Sequence, residues 1–293
     1  MGRIVKKSSS RSSLGQVPLP FQAAPILAPP PEPFLKWAGG KRQLLTEIRS
    51  HLPARFGKYF EPFVGGAALF FSTGPINAVL GDTNERLVRT YRGVRDSVEQ
   101  VISALSEYPN ERAFFLTQRA RDVDSASDVE MAAWFIYLNR TGYNGLYRVN
   151  RSGRFNVPFG RHLRPTICNS GRLRSCSKAL QNTDLRIGDF EDNTVQAKAG
   201  DFVYFDPPYV PVAQYSDFTR YTARGFGLAD HRRLCDVAAQ LKSRGVAVLI
   251  SNSDAPEVRE LYQSGFKIRS VMATRSINSR GDRRGRVPEL LIS

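Results

Sequence analysis

Asp206-Pro207-Pro208-Tyr209 is the tetrapeptide with the most definite chemistry in the chain. The carboxylate and the Pro207 carbonyl can each accept one N–H from a planar exocyclic amine, and the two prolines stiffen the turn that aims them. Two acceptors on one such amine draw its lone pair out of conjugation and make it nucleophilic. Tyr209 adds a flat face on which a ring can stack. A plain Pro-Pro turn is the alternative, and the position after an apolar strand in a basic chain disfavours it.

Glu61-Pro62-Phe63-Val64-Gly65-Gly66-Ala67 follows another apolar stretch, and a helix can begin just beyond it. Glycines at a strand-to-helix turn let backbone approach a ligand closely. Asp82, 17 residues past Gly65, stands where an acidic residue commonly meets ribose hydroxyls. The pair points to a nucleoside-bearing cofactor, and the absent GxGxxG spacing argues against a dinucleotide. Phe34-Leu35-Lys36-Trp37-Ala38-Gly39-Gly40-Lys41 sets an aromatic, two glycines and a lysine before a helix expected at 42–50. That suits capture of a carboxylate or another anion. It is not a phosphate-binding GxxxxGK[ST] loop, so nucleoside-triphosphate chemistry is disfavoured. Ser251-Asn252-Ser253-Asp254 also follows a strand; helix capping and substrate contact are both open readings of it.

Short apolar runs at 59–63, 78–80, 185–187, 202–205 and 246–250 read as buried strands, with helices at 84–106, 111–121, 128–139 and 228–243. This alternation predicts an α/β fold with a mostly parallel, Rossmann-like sheet covered on both faces. Ligands then bind beyond the carboxyl ends of the strands, where Asp82 and Asp206 fall. Segments 266–274 and 288–293 read as an antiparallel pair closing that sheet. The stretch 143–159 breaks the rhythm with Gly, Asn, Arg and aromatics, and Arg151-Ser152-Gly153-Arg154 reads as a hairpin turn. The expected division is a tail at 1–33, a sheet domain at 34–84 and 184–293, and an inserted, mostly helical lobe at 85–183 carrying the β-hairpin.

The net charge of the 293-residue chain is +15, and its distribution is uneven. Between Asn139 and Thr183 there are nine Lys and Arg and no Asp or Glu. The loop 275–286 carries five arginines and one aspartate. Such surfaces suit a polyanion, because each neutralised phosphate releases counterions. Interleaved Arg140, Tyr143, Asn144, Leu146 and Arg148 add groups that wedge at base steps or reach base edges. Three cysteines without a CxxC spacing exclude a disulfide framework and argue against structural zinc. The apolar stretch 129–138 reads as a buried helix and is far short of the ~20 residues of a membrane span. Prolines and serines fill the first 33 residues where a secretory signal would need an apolar segment, so a cytoplasmic protein is expected.

The residues together resemble the Dam-type, class D12 (α-group) DNA adenine-N6 methyltransferases. FLKWAGGK at 34–41, EPFVGG at 61–66, GDTN at 81–84, NRTGYNGLYRVNRSGRFNVPFGR at 139–161, DPPY at 206–209, VLISNSD at 248–254 and RSINSRGDRRGRVPELLIS at 275–293 occur in that family's order. The resemblance implies S-adenosylmethionine as methyl donor, no metal, and duplex DNA as partner to a monomer. It places Trp37, Lys41, Asp82 and Asp206 at the donor, with Glu61, Phe63 and Gly65 in the cradling loop and Asp189 and Phe190 beside the donor's adenine. Asp206, Pro207, Pro208 and Tyr209 become the catalytic tetrapeptide. Tyr143 resembles an intercalating residue, Asn144 lies at the orphaned base or its phosphate, and Leu146 and Arg148 read bases. Lys36 reaches a base, Pro158 lies near the recognised pairs, and Arg140 belongs to the same DNA-binding set. Ala67 departs from the pattern, standing where the family usually has another glycine.

The implied function is methylation of a flipped-out adenine, within GATC or a related short palindrome, in a solitary or restriction-modification setting. Two competitors keep part of the site: methylation of another planar amine, such as an RNA adenine or a protein glutamine, and DNA binding without catalysis. The hairpin favours duplex DNA over single-stranded RNA, and the intact tetrapeptide with Trp37, Lys41 and Asp82 favours an enzyme.

Overall fold

The computed structural model describes residues 1–2, 31–211, 225–274 and 286–293. Nearly all of the expected tail and of the arginine-rich loop 275–286 lies outside the described residues.

Strands β1 (Tyr59–Glu61), β2 (Ala78–Asp82), β3 (Thr183–Ile187), β4 (Phe202–Phe205), β5 (Ala247–Ser253), β6 (Ile268–Thr274) and β7 (Arg286–Ile292) form one sheet in the order β3-β2-β1-β4-β5-β7-β6. The first five are parallel, and β7 runs antiparallel between β5 and β6. The central strands are apolar up to their carboxyl ends, where Glu61, Asp82 and Ser251–Ser253 stand, because both faces of the sheet are buried. Alternate residues enter different cores: Tyr59, Leu80, Phe202 and Tyr204 join one, and Phe60, Val79, Val203 and Phe205 the other.

On the helical side are α1 (Leu45–Ser50), α2 (Ala68–Thr73), α3 (Glu85–Ser106), α4 (Arg112–Ala120), α5 (Asp128–Thr141), α6 (Ser170–Leu180), α7 (Phe190–Thr194), α8 (Leu228–Ser243) and α9 (Pro256–Tyr262). The first core runs without a break from the sheet into α3 and α5, so Leu80 and Trp134 share it. Ser127 and Glu130 form a reciprocal capping box that starts α5, from which Met131 through Leu138 are all buried. Sequence periodicity did not point to α6, where only Leu173, Cys176 and Leu180 make an apolar stripe on an otherwise polar helix. The helix expected at 42–50 is instead a 3-10 turn at Lys41–Gln43 followed by α1.

The expected hairpin doubles back as predicted but has no continuous ladder. Its arms meet at isolated bridges, Gly142 with Phe159 and Val149 with Phe155. The 3-10 turn at Tyr143–Gly145 interrupts one arm, and Pro158 lacks the N–H that the other would donate. Asn150 compensates: its side chain accepts from Ser152 and Arg154, closing the turn at the tip. No helix among the described residues is long and apolar enough to cross a membrane.

Candidate active site

β4 delivers Asp206 to the carboxyl edge of the sheet, and three neighbours fix the turn that follows. Asp206 Oδ1 receives Lys41 Nζ at 2.8 Å and Ser251 Oγ at 2.8 Å. No hydrogen bond or ion pair to Oδ2 is made among the described residues, which leaves that oxygen able to accept. The Ser251 hydroxyl lies 2.9 Å from Tyr204 Oη, also buried. Lys41, only 6% exposed, donates to the Gly39 carbonyl as well and sits 4.5 Å from the centroid of the Tyr209 ring. Tyr209 Oη donates to Glu289 Oε2 at 2.7 Å. Burial pushes the Tyr209 hydroxyl well above its ordinary range, with the Asp206 and Glu289 charges adding to the shift, so it remains a donor.

Behind the turn, Val210 N donates to Asn252 Oδ1 and Ser253 Oγ donates to the Val210 carbonyl. His231 of α8 is buried beside Asn252, and burial pulls its imidazole down to about 4, so it is neutral at pH 7. The Ser251–Ser253 segment is therefore not a helix cap: all three residues are buried in β5, where Ser251 holds Asp206 and the other two hold Val210. Asp254 is tied to Arg259 and does not cap α9, whose N-cap is Ala255.

Next to this turn lies the glycine loop. Gly65 has φ +43, and a Cβ there would fall 2.7 Å from the Trp37 indole, so glycine is required for Trp37 to pack on the loop. Gly65 N donates to Asp82 Oδ2 and Asn84 N to Asp82 Oδ1. Burial raises the Asp82 carboxyl to about 6, while those backbone donors oppose the rise. Trp37 is stacked on Phe135 of α5 and on Tyr147 of the hairpin arm. Lys41 is bonded to Asp206, Trp37 packs on Gly65 and Gly65 is bonded to Asp82; the turn in which Gly40 N donates to the Trp37 carbonyl joins the two sets along the chain. Glu61 is 3% exposed and bonded to Tyr59 Oη. Phe63 stacks on Phe190 at 5.5 Å. Phe190 is 1% exposed beneath the Arg233 guanidinium, which also holds Asp189 through two bonds.

The second group of expected residues gathers around Asn139, a buried amide at the end of α5. Asn139 accepts from Lys36 N and donates to the carbonyls of Lys36 and Gly145. A Cβ on Gly145, whose φ is +65, would collide with the Lys36 side chain, so Lys36 lies across the hairpin root. Arg140 bonds the Phe34 carbonyl. Tyr143 is 46% exposed, with its N–H anchored on the Pro158 carbonyl, and Asn144 beside it is in a left-handed conformation at φ +54. Arg148 is exposed and lies along Asn156, while Leu146 is half-buried.

A family model described as D12 class N6 adenine-specific DNA methyltransferase matches residues 37–277, a span that holds most of both groups. The chain belongs to this family. Among D12 relatives, a type II methyltransferase, M1.LlaDCHI of Lactococcus lactis subsp. cremoris, is 43% identical over 89% of this chain and 94% of its own length. The type II methyltransferase M.MjaIII of Methanocaldococcus jannaschii is 39% identical over 89% of this chain and 98% of its own. The DNA adenine methylase of Escherichia coli K12 is 37% identical over 88% of this chain and 93% of its own. As a D12 enzyme the protein methylates adenine N6 in DNA, with S-adenosylmethionine as the methyl donor of the family.

Sequence reading of this D12 chain overlooked three residues: Glu289, Asn139 as a brace, and His231. Asn139 was visible only as one more amide in a basic, aromatic stretch. His231 and Glu289 gave no local signal, because their partners lie 21 and 80 residues away in the chain.

Proposed function

We propose that the enzyme is site-specific, turns a single adenine out of duplex DNA and places it against Tyr209, within GATC or a related short palindrome. Residues 85–183 serve as its target-recognition lobe, and 34–84 with 184–293 as its catalytic domain. The observation that carries this reading is the short segment between Lys36 and Lys41. At one end Lys36 is bonded to Asn139 at the hairpin root; at the other, Lys41 is bonded to Asp206. Six residues connect the exposed basic loop to the amine-binding turn.

The donor's chemistry fits the residues beside that turn. Asp82 offers carboxylate oxygens for ribose hydroxyls, Lys41 offers a cation, and Trp37 and Phe63 offer apolar surface near Gly65 and Glu61. Asn84 Nδ2, two residues past Asp82, is a buried donor without an acceptor among the described residues. Asp189 and Phe190 complete the adenine end, Phe190 by backing Phe63. When bound, S-adenosylmethionine supplies a methyl group already activated on its sulfonium.

The chain's own residues then position the acceptor. Flipping a base costs a few kcal/mol, which stacking on Tyr209 and the two N–H bonds to Asp206 Oδ2 and the Pro207 carbonyl offset. Pro208 keeps the turn rigid between them. N6 becomes acidic only as its new bond to carbon forms, so Asp206 works as an acceptor that takes the proton late. Orientation supplies most of the acceleration. On the DNA side, Tyr143 fills the gap in the stack and Asn144 faces the orphaned base. Lys36, Leu146, Arg148 and Pro158 contact the recognised pairs, and Arg140 braces the loop.

The test is transfer of labelled methyl to a random duplex library, with Asp206→Ala as control, followed by mapping of methylated adenines in a methylation-free host. One short recurring sequence is the expected result. Methylation spread over unrelated adenines would refute site specificity.

A further inference from the structure

The β5–β7 ladder carries a row of polar side chains on one face, directly under the catalytic turn. Ser253 is paired with Glu289, and Ser251 lies two residues along, so all three point the same way. Each holds a different part of the turn: Ser251 the Asp206 carboxylate, Ser253 the Val210 carbonyl and Glu289 the Tyr209 hydroxyl.

Of these, Glu289 is the least expected. A carboxylate that is only 9% exposed is expensive to bury. An apolar residue would complete the core at lower cost, as its neighbours Leu290 and Leu291 do. What a carboxylate adds is a charge-assisted bond, shorter and about twice as strong as a neutral one. That bond runs to the far end of the aromatic ring on which a base is to stack. Before Tyr209 the two prolines fix their own φ angles, and after it Val210 is held by Asn252 and Ser253; the tilt of the ring is left to its own contacts. Stacking depends on that tilt.

We propose that Glu289 is a positioning residue for methyl transfer, fixing the Tyr209 ring through its hydroxyl so that the target base lies flat with N6 at Asp206 Oδ2. This rests on the reading that Tyr209 stacks the adenine and Asp206 accepts its amine. Glu289 touches no reacting atom and acts wholly through Tyr209.

The experiment is a double-mutant cycle on the full chain, with single-turnover methyl transfer, DNA affinity and donor affinity measured for each variant. Glu289→Ala and Tyr209→Phe should each slow the single-turnover rate about ten-fold, well within what a misplacement of one ångström costs, with both affinities within about two-fold of wild type. The double variant should be no slower than either single one. Glu289→Gln, whose amide oxygen can still accept from the hydroxyl, should restore most of the rate. Effects of Glu289→Ala that multiply with those of Tyr209→Phe would overturn the proposal, as would an unchanged rate. If Glu289→Ala does not fold, the pair Tyr209→Phe and Glu289→Gln decides: a Tyr209→Phe enzyme at full rate refutes the role. Asp206→Ala separates the two levels. An active Asp206→Ala enzyme removes the underlying mechanism, whereas an inactive one beside fully active Glu289 and Tyr209 variants removes only the positioning role.

Discussion

Lys41 and Asp206 form an ion pair at 2.8 Å, with side-chain exposures of 6% and 20%. Breaking such a pair from one side leaves a charge poorly solvated and typically costs a few kcal/mol, whereas replacing both partners costs far less. Lys41→Met should therefore destabilise the fold by about 3 kcal/mol. Adding Asp206→Asn to the same chain should return most of that loss. Urea unfolding of the two variants measures it. Additive losses would show that the two side chains are energetically independent.

Tyr143 offers the opposite test, in which function and stability separate. Its ring is exposed and rests on the backbone anchor to Pro158, not on core packing. Tyr143→Ala should leave stability within about 0.5 kcal/mol of wild type. It should slow methylation of duplex DNA about ten-fold, because stacking a side chain in the opened step is worth about 1–3 kcal/mol. Thermal midpoints together with rates on duplex substrate check both halves.

Ala67 has φ +53 and ψ 35, precedes α2 and is itself 1% exposed. A left-handed conformation costs a residue with a Cβ about 1–2 kcal/mol, of which glycine's extra unfolded-state freedom takes back about 0.5–1 kcal/mol. Ala67→Gly is expected to stabilise the protein by about 0.5–1 kcal/mol. Chemical denaturation measures it, and a less stable variant would contradict the expectation.

Glu61 makes stability depend on pH. Burial pushes its carboxyl from 4.5 up to about 8; the Tyr59 hydroxyl opposes the shift and the Asp206 charge adds to it. The folded chain keeps a proton that the unfolded chain releases across that interval, so the fold weakens as pH rises from 4.5 towards 8. Asp82, raised to about 6, acts in the same direction. Glu61→Gln removes one of the two titrations. Its thermal midpoint should fall less steeply than that of wild type over this range, with the largest difference at the alkaline end. Parallel curves would exclude Glu61 as a cause.

The strands were legible as short apolar runs, and β4 ends at Phe205 as read; β1 instead stops at Glu61, two residues short of the expected Phe63, and β5 runs three residues past the expected Ile250 because Ser251, Asn252 and Ser253 still pair with β7. The tetrapeptide and the basic loop stood out because their residues are contiguous in the chain. The glycine loop was legible as a place of close approach, but its spacing does not say that Trp37 packs against Gly65. Ser251 stood out only as polar after a strand; its bond to Asp206 depends on the neighbouring position of β4 and β5. Glu289 was beyond reach of any pattern in the chain. Its place under Tyr209 follows from β7 lying between β5 and β6, a register set by long-range pairing.

That topology also orders events during synthesis. β7 is the last of the seven strands to leave the ribosome, yet both of its neighbours are made before it. The parallel strands β1 to β5 can pair as they emerge, while β6 must wait for β7, its ladder partner. Glu289 arrives on that same strand, so the Tyr209 hydroxyl meets its acceptor only when translation has passed it. The Tyr209 turn therefore keeps one of its fastenings open until the last strand of the sheet is in place.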